Sequence, residues 1–291
     1  MRRLLSLATV LGCAGPGLLT DGTSVSLGAH SRGALRGARR LPPNGEGYVV
    51  PETWRLRQSN YGTDEIVGCL VRSARRVARE LPGATLGVAD LSRRAGGESP
   101  EHRSHHSGRD ADLHFYSMDP AGKPMPPPPL YMERYGADGV ALPPPGPPPV
   151  GENVVAGPPR RFDAQRNWQL VRALLEDPVA DVQWIFVGSS LEERLLAYAQ
   201  AAGEPPPLIA QASEVMHQPL DSGGHNDHFH VRVYCSPTDR ALGCLDRGPG
   251  RWHKKLLKYD RPLPVVSVRG PGAMSVALRR FWPGTSTALP F

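Results

Sequence analysis

The chain has 291 residues, 40% hydrophobic and 21% charged, the balance of a soluble globular protein of one or two domains. Its 34 basic and 28 acidic side chains leave a net charge of +6, but no Lys/Arg block is interleaved with aromatics, which argues against nucleic acid as a partner. The 32 prolines, about twice the usual ~5% share, exclude a chain built of regular elements throughout.

Arg2 and Arg3, followed by an apolar run from Leu4 to Cys13, have the form of an export signal. That run is far short of the ~20 residues that span a bilayer, and no later segment reaches that length. Val10-Leu11-Gly12-Cys13 also resembles a lipobox, in which Cys13 carries a lipid and attaches the protein to a membrane. Ordinary cleavage near Gly17 is the alternative. Residues 14 to 45 are rich in Gly, Ser and Arg without hydrophobic periodicity, and read as a flexible stalk. Order is expected to begin near Tyr48.

The spacing of Ile66, Leu70, Ala74 and Val77 predicts an amphipathic helix over 64–80, with Asp64 and Glu65 at its positive end. Residues 85–90 are short, apolar and β-tolerant, and read as a strand. Prolines then cluster at 126–129, 143–149 and 158–159. Proline removes backbone donors, so residues 119–160 are expected to form a surface insertion, either a lid or a spacer. Trp168, Val171, Leu174 and Leu175 predict a helix over 167–176, and residues 182–187 a strand. Ser190 and Glu193 have the spacing of a capping box for a helix over 191–202, which Gly203 ends. From 228 to 234, Phe229, Val231 and Val233 alternate with His228, His230, Arg232 and Tyr234, the pattern of a half-buried strand.

These elements predict an α+β fold, a largely antiparallel sheet with helices packed on it. The boundaries are a leader over 1–13, the stalk over 14–45, one domain over 46–245 containing the insertion, and a tail over 246–291. In an exported chain Cys235 and Cys244 are close enough to staple a loop as a disulfide. Cys69 reads as a buried thiol on a helix, an unrecognised partner being the alternative.

Six of the ten histidines fall in two short stretches. One holds His102, His105 and His106, with Asp112 beyond; the other holds His225, His228 and His230. Imidazole and carboxylate together suit zinc, and a catalytic zinc takes three protein ligands with one position left open. His228 and His230 point to the same strand face about 6.5–7 Å apart, which suits one ligand and one neighbouring catalytic imidazole. Gly108 supplies a turn that lets His105 and Asp112 return to one point. A solvated histidine patch is the bland reading, and it requires both clusters to be accidental. His106 and His114 read as bystanders, His217 as undecided, and His30 and His253 as outside the chemistry.

At these residues the chain resembles the penicillin-insensitive murein endopeptidases. The S-H-x-x-G-x-D-x-D string over 104–112 and the H-x-x-H-F-H-V-R string over 225–232 carry the resemblance, with W-I-F-V over 184–187 and the cysteine pair that follows. It implies a single zinc-peptidase domain that hydrolyses peptide cross-links in peptidoglycan, at D-alanyl–meso-diaminopimelyl bonds, with Zn2+ as cofactor and the periplasm as location. It implies His105, Asp112 and His230 as metal ligands, His102 as a further histidine within reach of metal, and His228 and His225 as catalytic. His225 stands where related dipeptidases place a glutamate base. The family's second, peripheral metal pair finds no match in the proline-rich insertion. A D-Ala carboxypeptidase or dipeptidase of the same group is one alternative, and a non-catalytic, zinc-stabilised murein-binding lipoprotein another.

Overall fold

The computed structural model of the chain describes residues 23–143, 159–220 and 223–254. Two strands, β1 (Val25–Ala29) and β2 (Arg32–Arg36), form an antiparallel hairpin, so order begins well before Tyr48. This corrects the expected stalk from residue 23 onward. Hydrophobic periodicity could not signal the hairpin because its entry is buried through serines. Ser26 Oγ donates to the Ser107 carbonyl at 2.8 Å, and its backbone N donates to Asp239 at 3.0 Å.

The central sheet is built from β3 (Asp110–His114), β4 (Val182–Phe186), β5 (Met216–His217) and β6 (His228–Val233), in the order β5-β4-β6-β3. Only the β4–β5 pair is parallel; β4–β6 and β6–β3 are antiparallel. The fold is α+β with mostly antiparallel sheets and six helices among the described residues. Alternation divides the central sheet into two faces. Ala111, Leu113, Phe229 and Val231 are fully buried on one, against the main core. The other carries the polar residues at 110, 112, 228, 230 and 232.

Helices cover the apolar face: α2 (Asp64–Glu80), α3 (Ala164–Leu175), α4 (Ser189–Ala201) and α5 (Pro206–Val215), with a short α1 (Glu52–Arg57) before them and α6 (Pro237–Ala241) after. α2 follows its predicted span, and Ile66, Leu70, Ala74 and Val77 form its buried stripe. Thr63 caps it by accepting from Ile66 N at 3.4 Å. α3 starts earlier than the periodicity indicated because Asp163 caps it, accepting from Arg166 N at 3.0 Å.

The capping box expected at Ser190 does not form. The cap is Gly188, with no side-chain bond, and the Gly188 N–H instead donates to the His225 carbonyl at 2.6 Å. The loop ahead of β6 is thereby tied to the start of α4. Gly203, at φ +70°, follows the C-cap as expected. No element was foreseen at α5. Its prolines fall in the first turn, where backbone N–H groups need no partner. The strand read over 85–90 shrinks to two residues, Leu86–Gly87, paired in parallel with Tyr48–Val49.

Part of the proline-rich insertion is packed. Tyr135 is buried against Phe115 and Phe162, and its N–H donates to the Asn226 carbonyl at 2.8 Å. Cys235 and Cys244 form a disulfide with Cα atoms 6.0 Å apart. Cys69 is buried on α2, its sulfur 4.0 Å from Ser73 Oγ. The first tail residues are anchored, since Asp246 accepts from Arg109, Arg240 and the Cys235 N–H. Among the described residues, no helix is long and apolar enough to cross a membrane. The leader over 1–13, Cys13 and the rest of the tail lie outside the described residues.

Candidate metal centre

The pairing of β6 with β3 sets half of the site. His230 lies opposite Asp112, His228 opposite His114, and Arg232 opposite Asp110. All project from the polar face because they share the strand period of two. Asp112 Oδ1 is 3.1 Å from His230 Nδ1 and 3.5 Å from His228 Nε2.

The other half comes from a loop. His105 has φ +68°, the left-handed region that a residue with a Cβ enters at a cost of roughly 1–2 kcal/mol. Hydrogen bonds hold it there. The Ser92 hydroxyl donates to the His105 carbonyl and accepts from Gly108 N at 3.0 Å. His105 Nδ1 donates to the Leu91 carbonyl at 2.8 Å, leaving Nε2 3.3 Å from Asp112 Oδ1. Gly108 makes the expected turn at φ +77°, and a Cβ there would meet the Leu35 side chain at 2.6 Å. His102 reaches the far side of the carboxylate, with Nδ1 3.7 Å from Asp112 Oδ2.

Two sets of three potential ligand atoms result, each set within 4.8 Å of one another: His102, His105 and Asp112, and His225, His228 and His230. One ring nitrogen of His228 and one of His230 thus lie closer together than the strand spacing suggested. Asp112 joins the two sets. His105 Nε2 and Asp112 Oδ1 are buried yet form no well-directed hydrogen bond, a costly arrangement without a further partner. Nitrogen and oxygen donors of this kind suit zinc, so the residues fit the metal that the motifs imply.

Charge separates the histidines. Burial opposes ionisation of Asp112, but His105 and His228 outweigh it and hold the carboxyl well below its usual range. Burial also works against protonated His228, yet Asp112 and Asp227 together raise its pKa. His225 goes the other way: burial, then the neighbouring His228 and His230, push it down to about 4.

Every histidine and aspartate expected at the site is therefore brought to one region. His114, expected as a bystander, and His217, left undecided, fall outside both sets. His114 is buried edge-on to Trp54, and burial pushes it down to about 3. His217 sits between the Trp184 and Phe186 rings.

Sequence reading missed the groups behind the ligands. Asp110 accepts from His230, Asp90 from His102 and Asp227 from His228. Asp110 was legible in principle, being two residues from Asp112 on the same strand face. Asp90 and Ser92 carried no signal, because their partners arrive from a loop more than ten residues away.

Comparison with known proteins agrees with the geometry. A model of the family described as penicillin-insensitive murein endopeptidase matches residues 26–126, a span that includes the His102–Asp112 loop. A penicillin-insensitive murein endopeptidase of Haemophilus influenzae is 30% identical over 265 residues, covering 86% of this chain and 79% of that protein. Proteins of the same name from Klebsiella pneumoniae subsp. pneumoniae and Pectobacterium atrosepticum are each 26% identical, covering 72% and 69% of their own lengths. The chain belongs to the penicillin-insensitive murein endopeptidase family of peptidases.

Proposed function

We propose that the protein is a zinc-dependent endopeptidase of the cell wall that cuts D-alanyl–meso-diaminopimelyl cross-links in peptidoglycan. The observation that carries this reading is the convergence of loop and strand histidines on Asp112, with buried ligand atoms left without a well-directed hydrogen bond. His105, Asp112 and His230 would hold the metal, with His102 within reach. When bound, zinc supplies Lewis-acid polarisation of the scissile carbonyl and a lowered pKa for water.

The chain's own groups then divide the proton work. His225, kept neutral near neutral pH by its buried position, accepts the proton of the attacking water. His228, whose proton is favoured by Asp112 and Asp227, stabilises the oxyanion or donates to the leaving amine. The Asp227 contact, 2.6 Å from His228 Nδ1, orients that ring with Nε2 toward the site. No serine nucleophile is required.

The domain boundaries follow the same reading: an exported chain whose leader over 1–13 is removed, working in the periplasm, with Cys13 as a candidate lipid anchor. The test is digestion of purified sacculi by the zinc-loaded protein, with products identified by mass. Conversion of cross-linked dimers to monomers, lost with chelator and restored by zinc, is expected. Intact dimers alongside released D-alanine or dipeptide would assign a carboxypeptidase or dipeptidase instead. Binding to sacculi without any product would assign a murein-binding protein.

A further inference from the structure

Four histidines face Asp112, and in each the ring nitrogen turned away from it meets an acceptor, which for His228 is Asp227. His105 Nδ1 is 2.8 Å from the Leu91 carbonyl, His102 Nε2 is 2.9 Å from Asp90 Oδ2, and His230 Nε2 is 2.8 Å from Asp110 Oδ1. The carboxylates of Asp90 and Asp110 are built alike. The oxygen of Asp90 that accepts from His102 also accepts from Arg57 Nη1 at 2.6 Å. The oxygen of Asp110 that accepts from His230 also accepts from Arg232 Nε at 2.6 Å. Both aspartates are almost wholly buried, at 1% and 0% exposure.

We propose that Asp90 and Asp110, each backed by an arginine, are positioning residues that fix His102 and His230 with Nδ1 bare and aimed at the metal. The inference rests on the metal reading above and deepens it. A carboxylate can only accept, and Asp110 and Asp90 lie nearer their rings, at 2.8 and 2.9 Å, than Asp112 does, at 3.1 and 3.7 Å, so the single proton of a neutral ring sits on the nitrogen that faces Asp110 or Asp90. In a neutral ring the other nitrogen is then a free lone pair. The arginine ties each carboxylate to the protein frame: Arg232 lies on β6 and Arg57 at the end of α1. A carboxylate behind a histidine ligand also raises the ligand's basicity. His105 is fixed by a backbone carbonyl instead, through its other nitrogen, and so presents Nε2. The donor atoms are thereby sorted one by one: Nδ1 from His230 and Nε2 from His105 as ligands, with His102 offering Nδ1 within reach.

Histidine-selective ¹⁵N NMR of the metal-free protein, at a pH where the rings are neutral, reads this sorting directly. The expected spectra show His102 and His230 protonated at Nε2 and His105 at Nδ1. Protonation of His102 or His230 at Nδ1, or an even mixture of tautomers, would overturn the assignment. Chelator competition then measures zinc affinity in Asp90→Asn and Asp110→Asn. Each is expected to bind about 10- to 100-fold more weakly, with the tautomer preference of its own histidine relaxed. Unchanged affinity in folded variants would reduce the aspartates to structural ion pairs. Since both are buried, the wild-type tautomers decide the matter if a variant does not fold. Wild-type protein that shows the expected tautomers but takes up no zinc would sink the metal reading while leaving the assignment of the carboxylates' partners standing.

Discussion

His230 and His105 reach the same oxygen of Asp112 from opposite kinds of structure. His230 arrives on a strand, in register with the aspartate it meets, and the face it projects from follows from the alternation of β6. His105 arrives on a loop, in a backbone conformation that is unfavourable by itself, and stays through bonds from Ser92, Leu91 and the turn at Gly108. A sheet supplies aim as a by-product of pairing, whereas a loop must be given aim by individual hydrogen bonds. Apart from Asp110, whose carboxylate sits behind His230, the strand half should therefore fail only when its ligand is removed. The loop half should also fail when its supports are.

The largest effect is expected from His230→Ala, which should abolish zinc uptake and bring hydrolysis to background while leaving the sheet folded. His228→Ala belongs to the same strand but should keep zinc and lose turnover by about 10²-fold or more. Loss of zinc in both variants, measured by metal analysis, would erase the distinction between ligand and catalytic histidine.

On the loop side, Ser92→Ala strands a buried carbonyl and a buried N–H together. It should cost about 1–3 kcal/mol in denaturant unfolding and weaken zinc binding, although Ser92 touches no metal. Gly108→Ala should cost at least ~1–2 kcal/mol for its positive φ alone, since its new Cβ also meets Leu35. If both variants bound zinc like wild type, the loop would not need the supports assigned to it. The smallest effect is the control at the α2 cap. Thr63→Ala should cost about 1 kcal/mol with no change in zinc affinity.

The same contrast explains what could be read in the sequence. α2 and β6 were legible because their burial follows a period, of 3.6 in one and 2 in the other. The candidate ligands were legible because histidine is scarce and clustered. The β1–β2 hairpin was not, since serine hydrogen bonds take the place of apolar contacts at its entry. The cap of α4 was misread because a tertiary contact, from Gly188 to His225, decides where that helix begins. Asp90 and Ser92 stayed hidden for a related reason: their roles exist only once distant segments have met.

The most direct test is a crystal structure of the zinc-loaded protein with the metal located by anomalous scattering. One zinc about 2.0–2.2 Å from His105 Nε2, an Asp112 oxygen and His230 Nδ1, with His225 and His228 beside it and unligated, is the predicted result. A zinc held by His225, His228 and His230 without Asp112, or none at either set, would contradict the single shared centre.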